Sequence, residues 1–394
     1  MFVAISLFAV DRFCGLFFDE DYVVAQLALP PSEKIRYEAR DFQFTVSTNR
    51  LGFRGPEFPL QKRLGVKRIL VLGNSFTYGW GVDFELTWPH LLENELGALG
   101  IQVETANLAT PGTSASEMIS IAARSIPLLK PDLVIISVLQ GGAVLTFNGG
   151  LNSKPDQERP TSVRSKLVTG LTYALPNYVS LLRAIRHRTV VARERSGADI
   201  RQAWQKEAKY FLGNMTDAQS QRYHALDPAT AERFVNAALN IPVVEASIQN
   251  PDRFVETVRS EQMISDSMAT IRSMFSEIRT ISEANGAGVI AVSMPHGAYL
   301  GGGAAENIRR LGFNIPDVLS QDKSTEDQIF RAATGAHVKF ISVLDDFQKA
   351  NPDSLFIPFD GHFNGSGTTL YSQLLSKELF RLWPVLLNPK KQLQ

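Results

Sequence analysis

The hydrophobic pattern changes period several times along the chain, and those changes divide it. From Arg68 to Gly73 the run RILVLG is almost wholly apolar and stops at a glycine, as a strand buried on both faces does. TWPHLLENELGALG follows with apolar positions at helical spacing and a terminal glycine suited to a C-cap. QVETANLA predicts a second strand, SASEMISIAARSIPLL a helix opened by a Ser/Glu capping pattern, and PDLVIISVL a third strand. Strand and helix thus alternate over residues 67–148, which predicts an α/β fold: a parallel sheet with helices on both faces. The alternation returns over residues 286–388, where AGVIAVSMP and VKFISVLDDF read as strands and GTTLYSQLLSKELFRLW as a closing helix. Between them, residues 149–285 are polar and helical in pattern. They end in one long helix, DRFVETVRSEQMISDSMATIRSMFSEIRTISEANG, stopped by Asn285 and Gly286. The expectation is one α/β domain, 67–148 and 286–388, interrupted by a mainly helical insertion.

Ahead of the sheet, residues 19–66 read as an irregular arm, with strand-like alternation around Phe42–Val46 and Gly/Pro turn signals after it. The first 18 residues, MFVAISLFAVDRFCGLFF, are apolar but broken by Asp11 and Arg12. A spanning helix wants about 20 apolar residues, and a charge at its centre costs about 2.5–3.5 kcal/mol. Neither a basic start nor a small-residue cleavage site marks a secretory signal. The segment reads either as a weak or truncated membrane anchor or as a buried N-terminal helix. The anchor reading would place the chain on the periplasmic side of a bacterial inner membrane.

Composition narrows the function. Lys+Arg and Asp+Glu number 40 each, so the formal net charge is zero and a globally basic nucleic-acid binder is not expected. The single cysteine, Cys14, rules out an internal disulfide and a cysteine-based metal site. Within the insertion, Arg183, Arg186, His187, Arg188, Arg193 and Arg195 form a basic cluster. It reads as a solvated helix face, the alternative being a contact for an acidic polymer or lipid headgroups.

The stretch RILVLGNSFTYGWGV carries the candidate chemistry. A phosphate-cradling loop needs a lysine after its last glycine, and none follows Gly79 or Gly81. A dinucleotide turn needs a third glycine, which GWGVDF lacks. The GxSxG elbow fails because position 77 is threonine. What remains is Ser75 directly after a strand, at the sheet edge where open α/β folds bind ligands. There it is either a nucleophile or merely the N-cap of the next helix. LFIPFDGHFNGSGTTLYSQLL, near the C-terminus, supplies what a nucleophilic serine needs: a base, His362, and a carboxylate two residues before it, Asp360, to orient the imidazole. His296, in MPHGAYL, also follows a strand and is expected to be structural or to touch substrate. The remaining histidines, His90, His187, His224 and His337, read as helix or surface residues. No pair has HExxH spacing, and no metal site is expected.

Taken together, GNSFTYGWGV, NLATPGTSASEM and DGHFNGSG resemble the first, second and last blocks of the SGNH (GDSL-type) hydrolases, in that family's order. The resemblance covers residues 68–145 and about 286–385, with a weaker similarity of STNRLGFRGPEF to the lead-in of some membrane-anchored members. It implies a flavodoxin-like three-layer α/β/α sandwich and a hydrolase or transferase of acyl groups, often acetyl groups on carbohydrate. By position, Ser75 would be the nucleophile, His362 the general base and Asp360 its orienting carboxylate. The backbone N–H groups of Ser75 and Gly112 would form part of an oxyanion hole. No cofactor is implied, and the partner would be an O-acylated small molecule or polysaccharide.

One block departs from the family pattern. After the third strand an asparagine is usual, but VIISVLQGGAV places Gly142 there, which offers a backbone N–H and no side-chain amide. Gln140 and Asn148 are candidate substitutes, and Asn74, in place of the usual Asp, is a further candidate for substrate contact. Loss of one oxyanion donor without replacement predicts a kcat about 100–1000-fold lower. The alternative function is therefore a catalytically weakened protein on the same fold that binds carbohydrate or acts as a scaffold.

Overall fold

The computed structural model describes residues 26–141 and 194–386. Residues 1–18 with Cys14, the positions Gly142 and Asn148, and all of the basic cluster except Arg195 lie outside the described residues. Among the described residues no helix is long and apolar enough to cross a membrane.

The arm contains an antiparallel pair, β1 (Lys34–Glu38) and β2 (Gln43–Ser47), joined by parallel pairing of β1 to the short β6 (Glu194–Arg195). The main sheet comprises β3 (Lys67–Leu72), β4 (Val103–Asn107), β5 (Leu133–Leu139), β7 (Gly288–Met294) and β8 (Lys339–Ile341). All four of its pairings are parallel, and the spatial order is β4-β3-β5-β7-β8. Counted along the chain this is 2-1-3-4-5, the flavodoxin-like order. The expected second half of VKFISVLDDF is not strand. After Ile341 the Ser342 hydroxyl accepts the Leu344 N–H at 3.2 Å, and a short helix opens in place of further ladder.

Helices follow in chain order: α1 (Ser75–Tyr78), α2 (Trp88–Ala98), α3 (Ala115–Leu129), α4 (Gly197–Gly213), α5 (Asp217–His224), α6 (Pro228–Val235), α7 (Ile241–Gln249), α8 (Arg253–Arg259), α9 (Glu261–Ala284), α10 (Gly302–Arg310), α11 (Ser324–Gly335), α12 (Leu344–Lys349) and α13 (Gly365–Leu386). Alternate side chains of the continuous apolar strands feed two different layers, as the period of two requires. Leu70, Leu72, Val134 and Ile136 pack with α3, α9 and α11, whereas Ile69, Val71, Ile135 and Val292 pack with α2 and α13. Each such side chain, removed from water, contributes about 1.5–3 kcal/mol before chain entropy is counted.

Two helical expectations change. The long helix read from Asp252 to Gly286 is two helices, because Ser260 leaves helical geometry (ψ 102°) and its hydroxyl caps α9 by accepting the Met263 N–H at 3.4 Å. Moreover, α9 covers the sheet alongside α3, so among the described residues of the expected insertion it is the helices before α9 that lie outside this cluster. Those helices, α4 to α8, join the arm in a second apolar cluster built on Phe44, Trp204, Phe234 and Phe254.

Candidate active site

Because the main sheet is parallel, the chain leaves every strand at the same edge, and the candidate residues gather there. Ser75 follows β3 as the first residue of α1. Asn74 is the N-cap: its Oδ1 accepts the Phe76 N–H at 3.1 Å. The cap therefore belongs to Asn74 rather than to Ser75, whose hydroxyl is left for other partners. Gly112 follows β4 with φ of 68°, a left-handed conformation that side-chain-bearing residues rarely adopt. Among the described residues neither the Ser75 nor the Gly112 backbone N–H donates to a protein acceptor.

The last loop brings Asp360 and His362 to the same place, 287 residues from Ser75 in sequence. Ser75 Oγ and His362 Nε2 are 2.8 Å apart, and His362 Nδ1 lies 2.5 Å from Asp360 Oδ1. Asp360 Oδ1 also accepts the His362 backbone N–H at 3.1 Å, and Oδ2 accepts the Trp80 indole N–H at 3.0 Å. Burial would push the Asp360 carboxyl up. The His362 imidazole, its hydrogen bonds and the Trp80 donor outweigh that and hold it below the ordinary carboxylate range. Gly361 between them has φ of 87°, and a Cβ there would meet Ile308 Cδ1 at 2.4 Å, so the fold-back of Asp onto His needs glycine. Asn364 closes the loop: its Oδ1 accepts the Ser366 and Gly367 N–H groups at the start of α13, and its Nδ2 donates to Ser354 O and Phe356 O.

A cavity of about 120 Å³ opens beside these groups. Ser75, Gly112 and His362 line it together with Phe254, Ile308 and Phe313, and Arg253 is the one cation among its lining residues. Asn74 also lines it, though its side chain is used as the cap. His296 lines the cavity as well. Burial, reinforced by the nearby His362, pulls its pKa down to about 3, so the ring is neutral. Gln140 does not line the cavity. It is fully buried, and its Oε1 accepts the His296 backbone N–H at 3.3 Å. That placement follows from β5 and β7 running side by side, with Gln140 N–H donating to Met294 O at 2.8 Å.

Two supporting residues escaped the sequence reading. Trp80 sits inside GNSFTYGWGV, and its type was a partial signal: an indole N–H removed from water needs an acceptor, and Trp80 is half-buried. Its ring is packed by arm aromatics, Tyr37 at 4.9 Å and Phe44 at 5.3 Å between centroids. Arg54 had no such signal. Its guanidinium, fully buried, donates from Nη1 to Tyr78 O (2.6 Å) and Gly79 O (2.7 Å) and from Nη2 to Val82 O (2.5 Å), tying the arm to the turn that carries Ser75. Among the described residues no group of three or more His, Cys, Asp or Glu side chains comes together in a way that would hold a metal.

No family model and no curated protein matches the chain. Among solved structures it is similar to a lipase/acylhydrolase from Enterococcus faecalis, at 13% identity over 79% of this chain and 95% of that one, with a TM-score of 0.38. An acetylxylan esterase from Geobacillus stearothermophilus aligns at 13% identity over 79% and 94% of the two chains, TM-score 0.36. An SGNH hydrolase, so described, from Slackia heliotrinireducens aligns at 13% identity over 79% and 98%, TM-score 0.34.

Proposed function

We propose that this chain is a serine-dependent acyl-ester hydrolase or O-acyltransferase of the SGNH type, acting on O-acylated carbohydrate. The observation that carries the reading is the hydrogen-bonded series Ser75–His362–Asp360 beside an apolar cavity. The carbohydrate part rests on the resemblance of the sequence blocks.

In this reading His362 Nε2 takes the Ser75 hydroxyl proton as Oγ attacks the acyl carbon, and Asp360 holds the imidazole and stabilises the imidazolium. The Ser75 and Gly112 N–H groups meet the carbonyl oxygen as it becomes an oxyanion. Each preorganised donor contributes about 2.7–4 kcal/mol to the transition state. The tetrahedral intermediate collapses, the C–O bond to the alcohol breaks, and His362 returns the proton to the leaving oxygen. Water, or a second hydroxyl in transfer, then attacks the acyl-serine with His362 again as base. The cavity suits a short acyl chain, since an apolar void of about 150 Å³ takes up a molecule as large as benzene.

The test is covalent labelling with a fluorophosphonate together with hydrolysis of p-nitrophenyl acetate and of acetylated xylo-oligosaccharides. Wild type is expected to be labelled and active, and Ser75→Ala to lose the label and at least about 10³-fold in kcat. Equal labelling of the two proteins, or none of either, would remove the nucleophile assignment.

A further inference from the structure

His296 leaves the sheet at a telling place. Leu139 and Met294 are register partners on β5 and β7, so the residue two beyond Met294 emerges beside Gln140 and Gly141, where the third strand ends. The sequence puts Gly141 and Gly142 directly after that strand, and neither has a side chain to donate. Its ring forms part of the same cavity wall system as Ser75, Gly112 and His362.

The protonation of the ring follows from its surroundings. The Ala298 backbone N–H donates to His296 Nδ1 at 3.1 Å, so Nδ1 is the acceptor nitrogen. A neutral imidazole accepting at one nitrogen carries its proton on the other. Burial disfavours the imidazolium, as described, which leaves the Nε2–H tautomer. Among the described residues Nε2 has no hydrogen-bond partner, and it is not among the side-chain nitrogens sealed from the surface. The ring is fixed in place by Phe254 (4.8 Å between centroids) and Phe76 (5.8 Å) and by the Gln140 contact to its backbone. A neutral donor of fixed tautomer that lines the cavity beside Ser75 has the properties that stabilise developing charge without reorganisation.

We infer that His296 is a catalytic residue: its Nε2–H donates to the acyl oxygen as that oxygen becomes an oxyanion, in the role that Gly142 has no side chain to fill. The inference rests on the proposed acyl transfer at Ser75. It also accounts for a His held neutral beside a second His that must carry charge during turnover, since an imidazolium at both positions would repel.

The experiment compares wild type, His296→Phe and His296→Gln in full-length protein. Steady-state hydrolysis of p-nitrophenyl acetate, inhibition by a boronic acid that mimics the tetrahedral intermediate, and fluorophosphonate labelling of Ser75 are measured on each. Phe keeps the shape and removes the donor, so kcat is expected to fall about 100–1000-fold with KM within about 3-fold. The boronic-acid Ki is expected to rise in parallel. Gln restores an N–H and is expected to recover at least about 10-fold of the loss, a rescue that a packing role would not give. A kcat for His296→Phe within about 3-fold of a folded, Ser75-dependent wild type overturns the inference and leaves the proposed function standing. Equal losses in Phe and Gln overturn it too. If Phe fails to fold by circular dichroism, the Gln variant decides alone: with wild-type melting temperature and Ser75 labelling, a kcat lowered between about 3- and 100-fold supports the inference, and a value outside those limits overturns it. A wild type with no Ser75-dependent turnover overturns both readings together.

Discussion

Arg54→Met is the sharpest probe of how the site is held. The side chain is fully buried and, among the described residues, has no carboxylate partner. Burial pulls its pKa down, and its charge is answered by three carbonyl oxygens of the Ser75 turn, with the Tyr78 ring 5.1 Å from the guanidinium carbon. A hydrogen bond to a charged group contributes about 1.5–3 kcal/mol, so the three short bonds amount to roughly 5–9 kcal/mol. Against this stands the cost of burying the cation, several kcal/mol, which methionine does not carry. The net expected loss is about 3–5 kcal/mol, out of a typical total of about 5–15 kcal/mol. The turn should loosen as well. A displacement of Ser75 by about 1 Å costs on the order of 10²-fold in rate. Urea unfolding followed by tryptophan fluorescence gives the first quantity, and kcat for p-nitrophenyl acetate, measured well below the transition, gives the second. Arg54→Lys should fall between, since an ammonium keeps the charge but cannot span the three carbonyls as a planar fork does. Unfolding of Arg54→Met within about 0.5 kcal/mol of wild type, with unchanged kcat, would refute the clamp.

Other consequences are simpler to read. Trp80→Phe keeps the ring and deletes the donor to Asp360, so kcat should fall by about 10-fold or more with the fold retained by circular dichroism; an unchanged kcat would show the contact to be passive. His296 has a folded pKa of about 3 against an unfolded value near 6.5, so the unfolded chain binds the extra proton between those limits. Stability should therefore fall as pH drops from 6.5 towards 3, by up to about 1.4 kcal/mol per unit, and His296→Phe should lack that part of the slope in urea titrations. Glu245 behaves oppositely: burial and the neighbouring Glu207 raise it to about 7, so its ionisation costs stability as pH rises from about 4.5 through 7. Glu245→Gln should raise the melting temperature at pH 8 and not at pH 4, and a gain equal at both would remove the carboxylate repulsion as its cause.

The sequence carried the main sheet because its strands are nearly unbroken apolar runs, and a run such as VIISV can be buried on both faces in only a few ways. The candidate site was legible for a related reason: Ser75, Gly112, Asp360 and His362, which the structure brings together, sit in turns whose glycines and Asp/His spacing are local signals. What stayed hidden depends on distant partners. Nothing near Arg54 says that its acceptors lie 24–28 residues on, or that Tyr37 and Phe44 of the arm will pack Trp80. Gln140 is polar and next to the third strand, which made it look like a cleft residue, yet β7 pairs alongside and turns it inward to hold His296. Ser260 was overlooked because apolar spacing continues across it, and periodicity alone does not register a change of helix axis.

The arm supplies none of Ser75, His362 and Asp360, yet it reaches the segments that carry them. Arg54 grips the serine turn, while Asp41 pairs with Arg233, whose guanidinium lies 3.8 Å from the centroid of the Phe359 ring next to Asp360. The geometry of the candidate site is therefore coupled to a segment that precedes the sheet in the chain. A protein shortened to begin at Lys67 would keep Ser75, Asp360 and His362 but lose Leu51 and Phe53 from one apolar cluster and Phe44 and Val46 from another, so fold and candidate site are expected to loosen together.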